Sequence, residues 1–325
     1  MLQFIRFVGM RFILAIISLL MVTLIVFTLM ELSPVQYNER CRTFFNFMQI
    51  PIPLDKPFFI RWVNWVTAVV VHGDFGYSCV LRKPITLLLG TKFWVSLGLC
   101  LSSLLLAYLI AIPVGIYSAT ANNRTLISIL RVFSYLGLAI PNFLLALIII
   151  LAWSVYFGNT PSGLLSREYQ DVPWSYDKFV NLLSHAWIPV FVLGWSATAI
   201  ALQTVRALMS DEYNKLYVTA ARARGLSGQQ LLWRYPARHA LGPIVNSLGF
   251  DLNRVFNELP IVAMILTLTE AGSLLLQSLV QSNDQALAAA ILFLLTASII
   301  SLNFLTDILL AIFDPRFRRG LLGSV

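Results

Sequence analysis

Charge is scarce in this chain. Asp, Glu, Lys and Arg supply only 12% of its 325 residues, about half the share usual in a soluble globular protein. That shortage argues against a water-soluble enzyme, a disordered regulator and a nucleic-acid-binding domain. Cysteine is limited to Cys41, Cys79 and Cys100, spaced too widely for a metal-ligand set or a disulfide framework. A phosphate-binding loop of the form Gly-x-x-x-x-Gly-Lys-Ser/Thr is also missing, since Gly90-Thr91-Lys92 lacks both the earlier glycine and the hydroxyl after lysine. Any ATP used must therefore be hydrolysed on another chain.

Apolar residues make up 58% of the sequence and occur in long uncharged runs. A membrane-crossing helix needs about 20 such residues, because a rise of about 1.5 Å per residue must cover about 30 Å of hydrocarbon. Phe12–Met30 is the first run. It exceeds a secretory signal core, and the following Glu31-Leu32-Ser33-Pro34 is no cleavage site, so it reads as an uncleaved span. Phe93–Asn123, Val132–Ser166 and Phe179–Val205 each have room for one helix. A fifth run, Leu248–Thr269, is interrupted by Asp251, Arg254 and Glu258, and a sixth covers Gln285–Thr306 and continues past Asp307 to Phe313. The expected fold is an all-α membrane protein with six transmembrane helices.

The charges present are unevenly placed, and the net charge of +8 reads as helix anchoring. With the N-terminus inside, thirteen cations face three anions on the cytoplasmic side, namely Asp211, Glu212 and Asp314; the opposite side has nine cations against seven anions. Basic short loops belong in the cytoplasm, which places both termini there. The expected organisation is a first helix plus outer loop over 1–92, forming a small periplasmic cap, and a five-helix core over 93–325. The outer loops, 31–92 and about 158–184, are too small to be enzyme domains. His72 and His185 fall outside and His239 inside, so they cannot share a metal or a nucleophile. Cys41 and Cys79 share the oxidising side, where they are either bonded or two separate thiols.

Between the fourth and fifth spans, at about 209–243, the inner loop has more pattern than a linker needs. Tyr217–Arg224 contains good helix formers, and Gly225 supplies a stop. Ser227 with Gln230 three residues on has the form of a capping box, and Leu231, Leu232 and Tyr235 give the next helix an apolar stripe. The expected result is a helix–turn–helix with small alanines on one side and arginines nearby. Such a segment either rests on anionic lipid or lets another protein approach closely.

Thr219-Ala220-Ala221-Arg222-Ala223-Arg224-Gly225 resembles the EAA motif of permease subunits of bacterial ABC importers, and the flanking Tyr217-Val218 and Leu226-Ser227 resemble the oligopeptide, dipeptide and nickel branch. Gly73-Asp74-Phe75-Gly76-Tyr77-Ser78, Ile112-Pro113-Val114-Gly115-Ile116, Ile140-Pro141-Asn142-Phe143 and Asp307–Arg316 are similar to further segments of that branch, in the same order. Thr219 replaces the motif's glutamate, Gly242-Pro243 replaces Leu-Pro, Pro236 adds a break, and Thr269-Glu270-Ala271-Gly272 is a shortened version of a longer family segment. The resemblance implies that Thr219–Leu226 docks into a groove of a cytoplasmic ATPase subunit. Ala220, Ala221 and Gly225 would permit the approach, and Arg222 and Arg224 would make polar contacts. It also implies a second homologous permease, two ATPase subunits carrying ATP and magnesium, a periplasmic substrate-binding protein, and a place in the bacterial inner membrane. This chain itself binds no cofactor, metal or nucleic acid in that reading. Peptides are the default cargo, with oligosaccharides, opines and nickel chelates as alternatives in the same branch.

Asp251, Arg254 and Glu258, spaced three, four and seven apart, fall on one helical face that Asn253 and Asn257 widen. Charges at membrane depth are costly and either pair with each other or face water. Asp251, Arg254, Asn257 and Glu258 are therefore candidates either to line a translocation pathway or to brace the fifth span. An ion-coupled secondary transporter using Asp251, Glu258 or Glu270 is the rival from a different class, and a membrane-embedded enzyme lacks a convergent cluster.

Overall fold

Among the described residues the apolar runs are mostly helical, because a helix satisfies its own backbone where water is absent. The computed structural model describes residues 2–31, 56–78, 80–158, 163–169, 172–173, 175–268, 271–278 and 284–313. Most of the expected cap (32–55), Cys41, Cys79, Glu270 and the basic end at 314–325 lie outside the described residues. In chain order the helices are α1 (Leu2–Glu31), α2 (Phe58–Thr67), α3 (Ile85–Thr120), α4 (Arg124–Ala139), α5 (Asn142–Phe157), α6 (Tyr176–Tyr213), α7 (Leu216–Ala223), α8 (Gly228–Arg234), α9 (Pro236–Ile265), α10 (Ala271–Leu276) and α11 (Gln285–Phe313). A two-residue antiparallel ladder, β1 (Tyr77–Ser78) with β2 (Lys83–Pro84), departs from the all-α expectation.

Helices α1, α3, α6 and α11 are long and apolar enough to cross a membrane. The expected single span over Val132–Ser166 is instead two helices, α4 and α5, bent by 101°. Proline explains the break. Pro141 has no N–H to donate, and its ring drives Ile140 into an extended conformation (φ −93°, ψ 113°). The fifth run begins earlier than its hydropathy suggests, because Pro236 serves as the first residue of α9 rather than as a break in the loop.

Helix α6 is the centre of the bundle, burying Ile188, Val192, Leu193, Ala197, Ala201, Val205 and Met209 along its length. It packs most extensively on α3. Small residues set that distance: a Cβ on Gly115 would lie 2.7 Å from Val205, and one on Gly194 would lie 3.0 Å from the Ser103 carbonyl oxygen. Close backbone approach of this kind replaces the hydrophobic effect as the packing force between helices in lipid. Helix α1 runs antiparallel along α11. Arg11 pairs with Asp307 at 3.0 Å near one end, and Val26 meets Ala289 near the other. The start of α1 and the end of α11 therefore share one side. Phe12, Ile13, Met21 and Ile25 face outward from α1, as lipid contact requires.

The Gly73–Ser78 segment has a structural task at the opposite end of α11. Asp74 Oδ1 accepts from Gly76 N at 2.9 Å, turning the chain into the ladder. Ser78, fully buried, then donates to the Asp284 carboxylate, 206 residues away. The same carboxylate caps α11 through Leu287 N at 3.2 Å. Asp284→Ala removes a helix cap and leaves a buried hydroxyl without its acceptor, together costing about 2–4 kcal/mol. Thermal unfolding of the purified transporter should show a lowered midpoint for Asp284→Ala and a smaller loss for Asp284→Asn, which keeps an acceptor.

Candidate functional site

The 214–235 loop folds as expected into two short helices, and it has a core of its own. Val218 and Ala221 of α7 and Leu231 of α8 are buried together, with Tyr213, Tyr217, Leu226 and Tyr235 packed around them. The turn between the helices closes in a Schellman arrangement: Gly225 N donates to Arg222 O at 3.0 Å and Leu226 N to Ala221 O at 3.3 Å. Gly225 adopts φ +88°, a left-handed conformation that glycine reaches without strain. Ser227 occupies the cap position of α8, yet its side chain makes no capping hydrogen bond, so the expected capping box does not form.

This packing sorts the eight candidate residues. Thr219, Ala220, Arg222, Ala223, Arg224 and Gly225 are exposed, Leu226 is half-buried and Ala221 is fully buried. Ala221 therefore brings α7 close to α8 and is not available to an outside partner, contrary to the expectation. The guanidinium of Arg222 lies over the Tyr213 ring at 5.1 Å, so it is held in place while remaining exposed. A residue outside the motif joins the exposed face: Leu216 is 87% exposed. Leu216, Ala220 and Ala223 recur at i, i+4 and i+7, an apolar ridge facing away from the protein's own core. That periodicity was available in the sequence; its outward direction was not.

Two contacts couple this elbow to the bundle. Glu212, at the end of α6, accepts from Lys215 Nζ and from the Tyr217 hydroxyl. The Tyr217 ring meets the His239 ring of α9 edge-on at 5.5 Å. Burial, and then the hydrogen bond to the Glu212 carboxylate, push the Tyr217 hydroxyl above its ordinary range, so it stays a donor at physiological pH. Through Tyr217, α7 thus touches both the end of α6 and α9.

On α9 the polar face is divided between two separate networks. Asp251 is buried and accepts from the Tyr108 hydroxyl of α3 and from Ser247 Oγ at 3.0 Å, while Arg254 pairs with it at 3.3 Å. Glu258, half-buried, accepts from Asn142 Nδ2 of α5 and from Ser196 Oγ of α6 at 3.4 Å. Asn142 also donates to the Leu193 carbonyl at 3.2 Å and accepts from Ser196 N at 3.3 Å. Because α5 starts at the Pro141 break, this carboxylate lies by the first turn of a helix, where the exposed N–H groups favour negative charge. Asn253 and Asn257 are exposed, on a stripe with Phe250, Ile261 and Met264. Of the pathway candidates, only Asn257 is fully on the open face. Tyr108, Asn142 and Ser196 are the partners that spacing along the chain does not reveal. For Tyr108 and Ser196 the signal was a polar residue in an apolar run, and Asn142 also stands in the Ile140-Pro141-Asn142-Phe143 segment.

Residues 111–319 match the family described as binding-protein-dependent transport system inner membrane component. The chain is 31% identical over 267 residues to the oligopeptide transport system permease protein AppB of Bacillus subtilis (strain 168), covering 81% of each. It is 27% identical over 281 residues to the probable D,D-dipeptide transport system permease protein DdpB of Escherichia coli (strain K12), covering 82% of each. It is also 27% identical over 270 residues to the putrescine export system permease protein SapB of the same organism, covering 78% of this chain and 84% of that one. Its fold is similar to a chain of the inward-facing MetNI methionine ABC transporter, with a TM-score of 0.55 and 18% identity over 71% of this chain and 99% of the other.

Proposed function

The chain belongs to the binding-protein-dependent transport system inner membrane component family, and on that footing we propose that it forms half of a peptide translocation pathway driven through α7. It is the permease subunit of an ABC importer of the peptide branch, a multi-pass membrane protein and not an enzyme. In the proposed arrangement six segments cross the bacterial inner membrane: α1, α3, the broken pair α4–α5, α6, α9 and α11. Both termini are cytoplasmic. A second, homologous permease completes the pathway, two ATPase subunits hold ATP and magnesium, and a binding protein delivers cargo to the outer loops.

The observation that supports this most directly is the Leu216–Ala220–Ala223 ridge, apolar and exposed on a helix locked to both α6 and α9. ATP-driven closure of the ATPases would displace α7, and its contacts to α6 and α9 would carry the movement into the bundle. The permease pair is the two-state element, and nucleotide biases it through contacts that differ between states. Asn257 and the neighbouring open face of α9 line the pathway, with Asp251, Arg254 and Glu258 bracing it from behind.

Reconstituted vesicles test the assignment. Labelled oligopeptide should accumulate inside only when ATP, the ATPase subunits and the binding protein are all present. Uptake that continues without the ATPases and collapses with the proton gradient would replace this reading by ion-coupled transport. The name of one relative raises polyamine export as a second reading, and ATP-dependent loss of putrescine from loaded vesicles would select it.

A further inference from the structure

Helices α4 and α6 are pinned together where Ser134 Oγ donates to the Ala199 carbonyl at 3.3 Å and where a Cβ on Gly137 would lie only 2.6 Å from that of Ala199. Beyond that contact, towards the end of α6 that leads into α7, they flank an open crevice of about 390 Å³, within the range of ligand sites, about 300–1,000 Å³. Arg131 and Tyr135 line it from α4, and Gln203, Arg206, Ser210 and Asp211 from α6.

Three features of this cavity call for an anionic acceptor. Two guanidiniums approach it from separate helices, and among the described residues neither has an ion-pair partner. Gln203 Nε2 is buried and has no acceptor among the described residues, an unfavourable state that a ligand oxygen would relieve. Ser210 and Tyr135 add hydroxyl donors. The charge balance then selects among anions: two arginines and one aspartate leave a net charge of +1, which a monoanionic phosphodiester neutralises. Asp211, unpaired among the described residues, suits the hydroxyls of a polyol headgroup. The outer face of α4 continues from the cavity as exposed Val132, Phe133 and Leu136, an apolar surface suited to acyl chains and of no use to a soluble anion.

We propose that this crevice binds the glycerol phosphodiester headgroup of an anionic phospholipid, phosphatidylglycerol, with phosphate between Arg131 and Arg206 and the headgroup hydroxyls on Asp211. Basic pockets between membrane helices are a recognised way of holding such headgroups. The inference rests on the membrane placement of the chain and is independent of the ATPase-docking assignment.

The test uses the assembled transporter in nanodiscs of phosphatidylglycerol or phosphatidylethanolamine, followed by native mass spectrometry of the lipid retained. Phosphatidylglycerol should stay bound and phosphatidylethanolamine should not. Arg131→Gln with Arg206→Gln should lower retention at least about tenfold, whereas Arg234→Gln on α8 should leave it unchanged. If the double variant fails to assemble, Asp211→Ala decides, because loss of the hydroxyl acceptor should bring retention of the two lipids together. Equal retention of both lipids by the unmodified transporter, or unchanged retention in the double variant, overturns the site. Displacement of the lipid by glycerol 3-phosphate or inorganic phosphate would reassign the cavity to a soluble anion and overturn the lipid assignment.

Discussion

Ala223→Trp is expected to abolish peptide uptake while leaving the chain folded and inserted. Ala223 is exposed at the end of α7, so a larger side chain there meets nothing within this chain's own core. It shares the outward ridge with Leu216 and Ala220, and a groove shaped to small residues would reject an indole. A loss of about 1.4 kcal/mol in docking already weakens ATPase affinity tenfold, and a blocked ridge should cost more than that. Uptake should therefore fall more than about tenfold, and loaded binding protein should no longer stimulate ATP hydrolysis. Gly225→Asp, or loss of Arg222 and Arg224 together, should uncouple hydrolysis from uptake in the same assay, although the aspartate also imposes strain at φ +88°. The contrast is Ala221→Trp, which faces Val218 and Leu231 inside the elbow and should reduce the amount of folded transporter. Normal uptake by Ala223→Trp would mean that α7 is not gripped on this face.

These two alanines show where reading the sequence stops. Both belong to one run of small residues, and composition gives no reason to place one inside and its neighbour-but-one outside. Alanine is compatible with either environment, so only the positions of Val218 and Leu231 decide. The long helices were legible because an uncharged apolar run has few alternatives in a bilayer. Their direction was not. Val132–Ser166 is uncharged along its length, and the proline within it marks where a helix breaks without fixing a bend of 101°. The α9 charges were visible as a face, but spacing suggested one Asp–Arg–Glu cluster. The fold instead gives Asp251 to Tyr108 and Arg254, and Glu258 to Asn142 and Ser196. Likewise, the Gly73–Ser78 segment carries a recognisable pattern, while its partner Asp284 is too distant in sequence for any local rule to find.

The division of the α9 charges leads to the second large effect. Asn142→Leu keeps much of the side-chain volume but removes the amide that donates to Glu258, Leu193 and, through its oxygen, accepts from Ser196. Among the described residues Glu258 then keeps only the long Ser196 contact at 3.4 Å, and Arg254 is already engaged with Asp251. Leaving a partly buried carboxylate so poorly satisfied costs about 3 kcal/mol or more. The amount of assembled transporter in membranes should fall several-fold, with a lowered thermal midpoint for what remains. Glu258→Gln is different, because its amide oxygen still accepts from Asn142 while the charge is gone. Assembly should persist and the rate of transport should change. Pairing Asn142→Leu with Glu258→Leu removes donor and acceptor together, and a double-mutant cycle should recover part of the lost stability. If Glu258→Gln alone dissolves the complex, the negative charge itself, and not only the hydrogen bond from Asn142, is what holds α9 against α5 and α6.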